Sequence, residues 1–290
     1  MISNLKVPGA TLHYKVRGKG PVLLALQGGG GTADSMDAIA DVLDSEYTFV
    51  SYDRRGLLRS PLDDKKRPVN VEQHADDALA LLDTIGAERA FVFGSSFGAL
   101  IGLALATRAP ERVATLVAHE PPAPALLSEE GRAEVAALRR RTLALAMSEG
   151  PRAALRHALA GMGVNTDDRE DDVEPPASSR EQSRDTGFLL GQDVRATDNY
   201  RLDLALLEPH RARVVPGFGA ASRAFYPAEC ARALAHRLAV PAVEFPGSHN
   251  GYVLRPRAFA EALRGALQAG IARGSRAQTA VLPAGADSWR

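Results

Sequence analysis

Two short segments of this 290-residue chain carry residues that could do covalent chemistry. Gly94-Ser95-Ser96-Phe97-Gly98 fits the pattern G-x-S-x-G, and Pro246-Gly247-Ser248-His249-Asn250-Gly251 places a histidine in a loop near the end of the chain. A serine hydroxyl is a weak nucleophile until a neighbouring base takes its proton, and a neutral imidazole is suited to that task near neutral pH. Ser96 is therefore the candidate nucleophile and His249 its candidate base.

The elements around these residues decide whether the pairing is real. Ala90–Phe93 is a short apolar run that enters the glycine–serine segment directly, and Ala99–Arg108 beyond it has helical character. A strand that turns sharply into a helix forces its middle residue into an unfavourable backbone conformation. The glycines on either side remove side chains that would collide there, and the serine is lifted above the strand end near a helix N-terminus. Seven histidines are present, at 13, 74, 119, 157, 210, 236 and 249. Only His249 follows the last predicted strand, Ala242–Phe245, and precedes the last predicted helix, Pro256–Ala269. His74 and His236 are read as surface residues on helices.

The remaining pattern supplies a scaffold. Asn4–Val7 and Thr11–Val16 alternate around Pro8-Gly9 and predict a hairpin. Pro21–Leu26, Tyr47–Tyr52, Ala90–Phe93 and Val113–Ala118 are predicted strands, alternating with helices at Ser35–Leu43, Val71–Ile85 and Ala99–Arg108. Such alternation implies an α/β fold with a mostly parallel central sheet flanked by helices. Residues 121–211 break the alternation with helical pieces (Glu130–Ser148, Pro151–Gly161, Arg180–Leu190, Tyr200–Glu208) around an acidic stretch, Thr166–Ser179. They read as a helical lid on a core made of residues 1–120 and 212–270. The strand at Arg213–Val215 and the helix Pro227–Leu238 resume the pattern, and residues 271–290 read as a flexible tail.

Composition bounds the function. Hydrophobic residues make up 45% and charged residues 24%, with 35 basic and 35 acidic side chains and no formal net charge. That balance gives no reason to expect a nucleic-acid or membrane partner. The single cysteine, Cys230, excludes an internal disulfide and a cysteine-based zinc site. The N-terminus lacks the features of a secretory signal and no apolar run is long enough for a membrane span, so the expected compartment is the cytoplasm. Nothing fixes an oligomeric state.

GSSFG around Ser96, the preceding QGGGG, SYDRRG at 51–56 and PGSHNGY at 246–252 together resemble the α/β-hydrolase superfamily from about Leu5 to Ala269. The resemblance implies a helical lid and a catalytic order serine, acid, histidine. Much of the family carries its acid after the strand matching Arg213–Val215. This chain has Pro216-Gly217-Phe218-Gly219-Ala220-Ala221-Ser222 there, without a carboxylate. The second position used in the family, the end of the strand after the nucleophile helix, holds Glu120, which is the expected acid. The rivals are Asp198 and Asp203, or no acid at all, and His119 should face away from Glu120. Many members carry His-Gly where this chain has Gln27-Gly28. Backbone N–H groups of Gly29 and Phe97 are the expected oxyanion donors.

The same glycines admit another reading. Gly28, Gly30 and Ala33 fit G-x-G-x-x-A after a strand, with Asp53 twenty residues on, as in a dinucleotide site. That reading leaves the Ser96 turn and the His249 loop unexplained, so no cofactor and no metal are expected; Asp53 is read as a loop anchor for Arg54 and Arg55. The expected partner is a small-molecule substrate. Its pocket would be lined by Gly28, Gly30, Leu126, Met162 and Tyr200, with Leu127, Met147, Phe188 and Leu189 as further apolar candidates in the lid. A serine nucleophile favours an ester, lactone or thioester of a small to medium hydrophobic substrate. A non-hydrolytic or C–C-bond-acting enzyme with the same residues, and a catalytically silent ligand-binding protein, are the alternatives.

Overall fold

The computed structural model describes residues 1–174 and 187–281, and the side chains as far as residue 276. Eight strands form one sheet: β1 (Ile2–Val7), β2 (Ala10–Arg17), β3 (Val22–Leu26), β4 (Thr48–Tyr52), β5 (Ala90–Ser95), β6 (Val113–His119), β7 (Val214–Gly219) and β8 (Val243–Phe245). Their order across the sheet is β1-β2-β4-β3-β5-β6-β7-β8. β1 and β2 are antiparallel to each other, β2 is antiparallel to β4, and every other pairing is parallel. The predicted hairpin and mostly parallel sheet are thus both present.

Strands covered on both faces carry continuous apolar runs, and β3 (VLLAL) and β5 (AFVFGS) are buried almost throughout. One apolar core lies on the face covered by α2 (Val71–Thr84) and α3 (Phe97–Arg108), and gathers Leu24, Leu26, Val92, Leu100, Leu103 and Leu116. The opposite core lies under α1 (Asp37–Leu43) and the last helix, and gathers Leu23, Phe49, Phe93, Phe245, Phe259 and Leu263. α3 is apolar all round, with ten of its twelve residues buried, as expected of a helix in the middle of a domain.

The order of strands reverses at β3, which pairs with β4 on one side and β5 on the other. Loops leaving the carboxyl ends of β3 and β5 therefore diverge and open a crevice, the usual ligand position in open parallel sheets. The loop Gln27–Thr32 and the turn at Ser96 sit there. The loops after β6, β7 and β8 leave from the same edge. By contrast, a surface cleft lined by Asp83, Gly86, Ala87, Glu88 and Arg112 precedes β5 and lies at the amino ends of the strands.

Between β6 and β7 the described residues of the insertion include α4 (Glu129–Ser148), α5 (Pro151–Gly161), a π-helical turn (Leu189–Asp193), α6 (Val194–Asn199) and α7 (Leu204–Leu207). The predicted helix Tyr200–Glu208 is broken. Tyr200 is extended, and Asp203 starts α7 by accepting hydrogen bonds from the N–H groups of Ala205 and Leu206. Most of the predicted helix Arg180–Leu190 lies outside the described residues. After β7 come α8 (Tyr226–Leu238), the short α9 (Gly251–Leu254) and α10 (Pro256–Val281). α10 runs well past Ala269, so the first eleven residues of the expected tail are helical. Gly270 packs on Thr115, and Arg273 donates to the Ala212 and Val214 carbonyls, contacts with no signature in local sequence. Residues 282–290 lie outside the described part.

The turn between β5 and α3 needs its glycines. A methyl group on Gly98 would overlap the Leu26 carbonyl, and one on Gly94 would overlap the Gly98 carbonyl. Both obstacles are backbone and cannot move aside. At Gly102, four residues further along the same helix, the obstacle is the tip of the Leu116 side chain, which can rotate. We expect Gly98→Ala to destabilise the protein by on the order of 3 kcal/mol. Gly102→Ala should stay within about 1 kcal/mol of the parent, because the gain in helix propensity offsets the repacking. Urea unfolding of the two variants checks this; equal losses would show that the turn is not the tight element described.

Candidate active site

Ser96 ends β5 and precedes α3 with φ +54° and ψ −121°, a region that L-residues enter only when their surroundings enforce it. The enforcement is visible in the hydrogen bonds. The Ser96 N–H donates to the His119 carbonyl on β6 at 2.8 Å, and the Ser96 carbonyl accepts from Ala99 N–H at 2.9 Å in the first turn of α3. The residue is half-buried between fully buried neighbours.

Glu120 follows β6 and is also held at positive φ, +50°, its N–H donating to the Gly217 carbonyl at 2.8 Å. Its carboxylate is fully buried. Oε2 pairs with His249 Nδ1. Oε1 accepts from the Gly219 N–H at 2.8 Å and from the Ser222 hydroxyl. Burial disfavours the charged form, but the hydrogen bond and charge of His249, with further help from His119 and Ser222, outweigh it and hold the carboxyl down at about 2. The Gly-rich loop after β7 thus supplies donors where much of the family would supply an acid. Sequence reasoning passed over Ser222 because it sought a carboxylate there and not a partner for one.

His119 points the other way, as alternation along β6 requires. Its ring packs edge-on against Phe245 and Phe259, and Nδ1 lies 3.5 Å from Ser95 Oγ. Burial, only partly opposed by the charge of Glu120, lowers its pKa to about 4, so it is neutral at physiological pH. The rival carboxylates are engaged elsewhere: Asp198 pairs with Arg139 and Asp203 caps α7. His74, read from sequence as a surface residue, is instead fully buried, with its ring edge-on to Phe97 5.4 Å away. Burial beside Arg54 and Arg55 keeps it uncharged.

The loop after β3 approaches Ser96 closely. A side chain at Gly28 would stand 3.3 Å from Ser96 Cβ, so only glycine leaves this face of the serine open. Among the described residues, no acceptor meets the N–H groups of Gly29 and Phe97, and Ser96 Oγ makes no hydrogen bond to His249. Catalytic contacts are commonly loose without substrate. Gln27 donates to the Tyr52 carbonyl and so braces β3 against β4. Support for Gly28 comes from elsewhere: Arg54 donates to its carbonyl at 3.3 Å. That role of Arg54 was not legible in the sequence.

The anchor read for Asp53 is corrected in its partners. Asp53 holds Arg59 and the Ala33 N–H, Arg55 makes a two-pronged pair with Asp77, and Arg54 pairs with Asp193 of the insertion. The Asp53 carboxylate accepts four hydrogen bonds from the protein, which leaves it committed to the loop and unsuited to binding a ribose. Among the described residues no group of three or more histidine, cysteine or acidic side chains is arranged to hold a metal, and no helix is long and apolar enough to cross a membrane.

The expected pocket residues separate into two groups. Gly28 and Gly30 belong to the loop over Ser96, and Leu189 rests on Gly29 and Gly30. Phe188 packs on Gly56. Met162 ends α5 half-buried, beside Gly163, which faces Ser222 and Phe225, and close to Asn165, which bonds Ser248 next to His249. Leu126 and Leu127 are buried in apolar clusters. Met147 is 84% exposed, so the sequence expectation fails there: its face of α4 points to solvent. Tyr200 is misplaced as well. It packs on the α2–α3 core with Glu72, Arg108 and Asp203 as charged neighbours, and Arg108 ends α3 about 16 Å along the helix from its start at Phe97.

Comparisons with known proteins agree with this architecture. The family model described as alpha/beta hydrolase fold matches residues 21–167. The hydrolase YraK of Bacillus subtilis is 36% identical over 283 residues, covering 91% of this chain and 95% of its own. Among solved structures, a thermophilic esterase from Thermogutta terrifontis superposes with a TM-score of 0.66 at 20% identity, covering 92% of this chain and 99% of that one. The enol-lactonase from Burkholderia xenovorans LB400 gives 0.62 at 23%, covering 92% and 100%. With its family model, its full-length relative and its sheet in agreement, the chain belongs to the α/β-hydrolase fold family.

Proposed function

We propose that this protein is a serine hydrolase that cleaves an ester, lactone or thioester of a small to medium hydrophobic substrate through an acyl-enzyme on Ser96. The observation that carries the reading is the buried Glu120 carboxylate bonded to His249 Nδ1 at the same sheet edge as the strained Ser96. A hydrogen bond to Nδ1 leaves Nε2 as the basic nitrogen and stabilises the imidazolium that forms when a proton is taken up. Relatives named esterase and enol-lactonase share the fold, which supports the class of bond without choosing a substrate.

In the proposed reaction His249 removes the hydroxyl proton as Ser96 Oγ attacks the carbonyl carbon. The carbonyl π electrons move to oxygen, and the oxyanion is met by the N–H groups of Gly29 and Phe97. Collapse expels the alcohol, enol or thiol, which receives the proton from His249. Water, activated by the same histidine, then attacks the acyl-enzyme and releases the acid. The helical insertion serves as a lid, with Leu189 and Met162 on the substrate side.

A fluorophosphonate should add once, on the peptide holding Ser95 and Ser96, and a chain-length series of p-nitrophenyl esters should reveal the acyl preference. Ser96→Ala should abolish both signals with circular dichroism unchanged. Labelling that survives this change would overturn the nucleophile assignment.

Glu120→Gln preserves shape but removes the charge that supports the imidazolium, so kcat should fall by about 10²–10⁴-fold. Ser222→Ala, which removes one of the donors to Glu120, should cost about tenfold. Undiminished turnover in Glu120→Gln would sink the role of Glu120.

Glu120 also links stability to acidity. Its folded pKa lies below the unfolded value of 4.5, so its stabilisation is complete above pH 4.5 and fades as pH falls toward 2. The shift corresponds to on the order of 3 kcal/mol. The stability gap between parent and Glu120→Gln, measured by urea unfolding, should therefore narrow from pH 6 to pH 3; a constant gap would contradict the buried charge.

A further inference from the structure

The ion pair of Arg54 with Asp193 connects residues 139 positions apart. Arg54 follows β4, and Asp193 ends the π-helical turn of the insertion. The guanidinium is fully buried and the carboxylate nearly so. They meet through two bonds, Nη1 to Oδ1 at 3.0 Å and Nη2 to Oδ2 at 2.7 Å. This two-pronged geometry is one that only arginine gives.

Its surroundings concern the site itself. Arg54 Nη2 also donates to the Gly28 carbonyl at 3.3 Å, and Asp193 Oδ2 accepts from the Gly30 N–H at 3.3 Å. The two charges therefore grip the peptides on both sides of Gly29. The guanidinium carbon also lies 4.6 Å from the centre of the Phe97 ring, a cation–π distance. Phe97 and Gly29 are the residues whose N–H groups are proposed to meet the oxyanion. One ion pair thus touches both halves of that site while contacting no reacting atom.

A buried ion pair is a poor device for stability alone. Desolvation offsets most of its attraction, and apolar residues of similar size commonly serve as well. Fixing the direction of N–H groups is a task apolar packing performs less well, and displacements near 1 Å at a reacting centre can cost about 10²-fold in rate. We propose that Arg54 and Asp193 are positioning residues that set the oxyanion donors, and that Asp193 makes this setting depend on the insertion being seated. The inference rests on the hydrolase reading. When the turn Leu189–Asp193 lifts, Gly28 and Gly30 lose their charged supports together and Leu189 leaves Gly29. The donors are then in place only under a closed lid.

The test separates position from fold. In Arg54→Met/Asp193→Leu both charges are replaced by apolar groups, so cooperative unfolding should persist near the parent's midpoint. kcat on a p-nitrophenyl ester should nevertheless fall by about 10–100-fold with KM within about threefold, and fluorophosphonate labelling of Ser96 should slow by a similar factor. Should that variant fold poorly, Arg54→Lys keeps the charge but cannot make the two-pronged contact, and should show the same loss confined to kcat. Variants that fold and react within twofold of the parent would overturn the positioning role while leaving the hydrolase reading intact. A parent unreactive at Ser96 would overturn that reading and this inference with it.

Discussion

A carboxylate removed from water must find donors for its oxygens, or it takes up a proton and loses its use. Glu120 is such a group, and much of the site follows from satisfying it. One oxygen is given to His249, which fixes the loop Pro246–Asn250. The other is given to Gly219 and Ser222, which fixes the loop after β7. The Ser222 N–H bonds the Gly219 carbonyl and the Ala221 N–H bonds the Gly247 carbonyl, so the two loops are also joined through their backbones. The charge stays on Glu120 because three donors converge on it from two strand ends, Gly219 and Ser222 after β7 and His249 after β8. No single loop could supply them.

Rigidity elsewhere makes that convergence possible. Ser96 and Glu120 both occupy positive φ without being glycine, and each is pinned by a parallel-strand hydrogen bond continued one residue past the strand end. The sheet thus holds backbone conformations that a loop alone would relax. Adjacent strands in a parallel sheet end side by side, which brings residues separated by 24 and by 129 positions to one edge. Because the sheet is buried on both faces, with Phe93, Phe245 and Phe259 on one side and Leu26, Val92 and Leu100 on the other, that edge has little freedom to shift.

What the sequence made legible and what it hid divide along the same line. The positions of Ser96 and His249 were legible because each stands at a strand end, and strand ends follow from local apolar runs and glycine punctuation. The hairpin and the sheet's alternation were recoverable for the same reason. Glu120 was singled out through the family resemblance, which offers that strand end as a second place for the acid. Arg54 and Asp193 could not be paired from sequence, since neither local periodicity nor spacing links positions 139 apart. His74 was read as exposed because charged neighbours surround it in sequence, while in space it faces Phe97. Met147 and Tyr200 failed differently: an apolar side chain in an insertion has several faces to choose from, and the helix break at Tyr200 changes which face that is.

The insertion is joined to the core by charges at both ends of its descent toward the site. At one end Arg54 meets Asp193; at the other Arg255 and Arg257, at the start of α10, meet Asp168, Glu170 and Asp172. The two joints differ physically. The Arg257–Asp172 pair is exposed and open to screening by salt, and contributes little. Arg54–Asp193 is shielded from water, so its geometry matters more than ionic strength. Asp168 and Glu170 at that second joint are nonetheless largely sheltered, and Glu170 is also tied through its backbone to Leu254 and through its carboxylate to the Ala258 N–H. Three residues of the acidic stretch, Asp168, Glu170 and Asp172, are thus what ties this part of the chain to the residues around the start of α10, a contact that no local pattern announces.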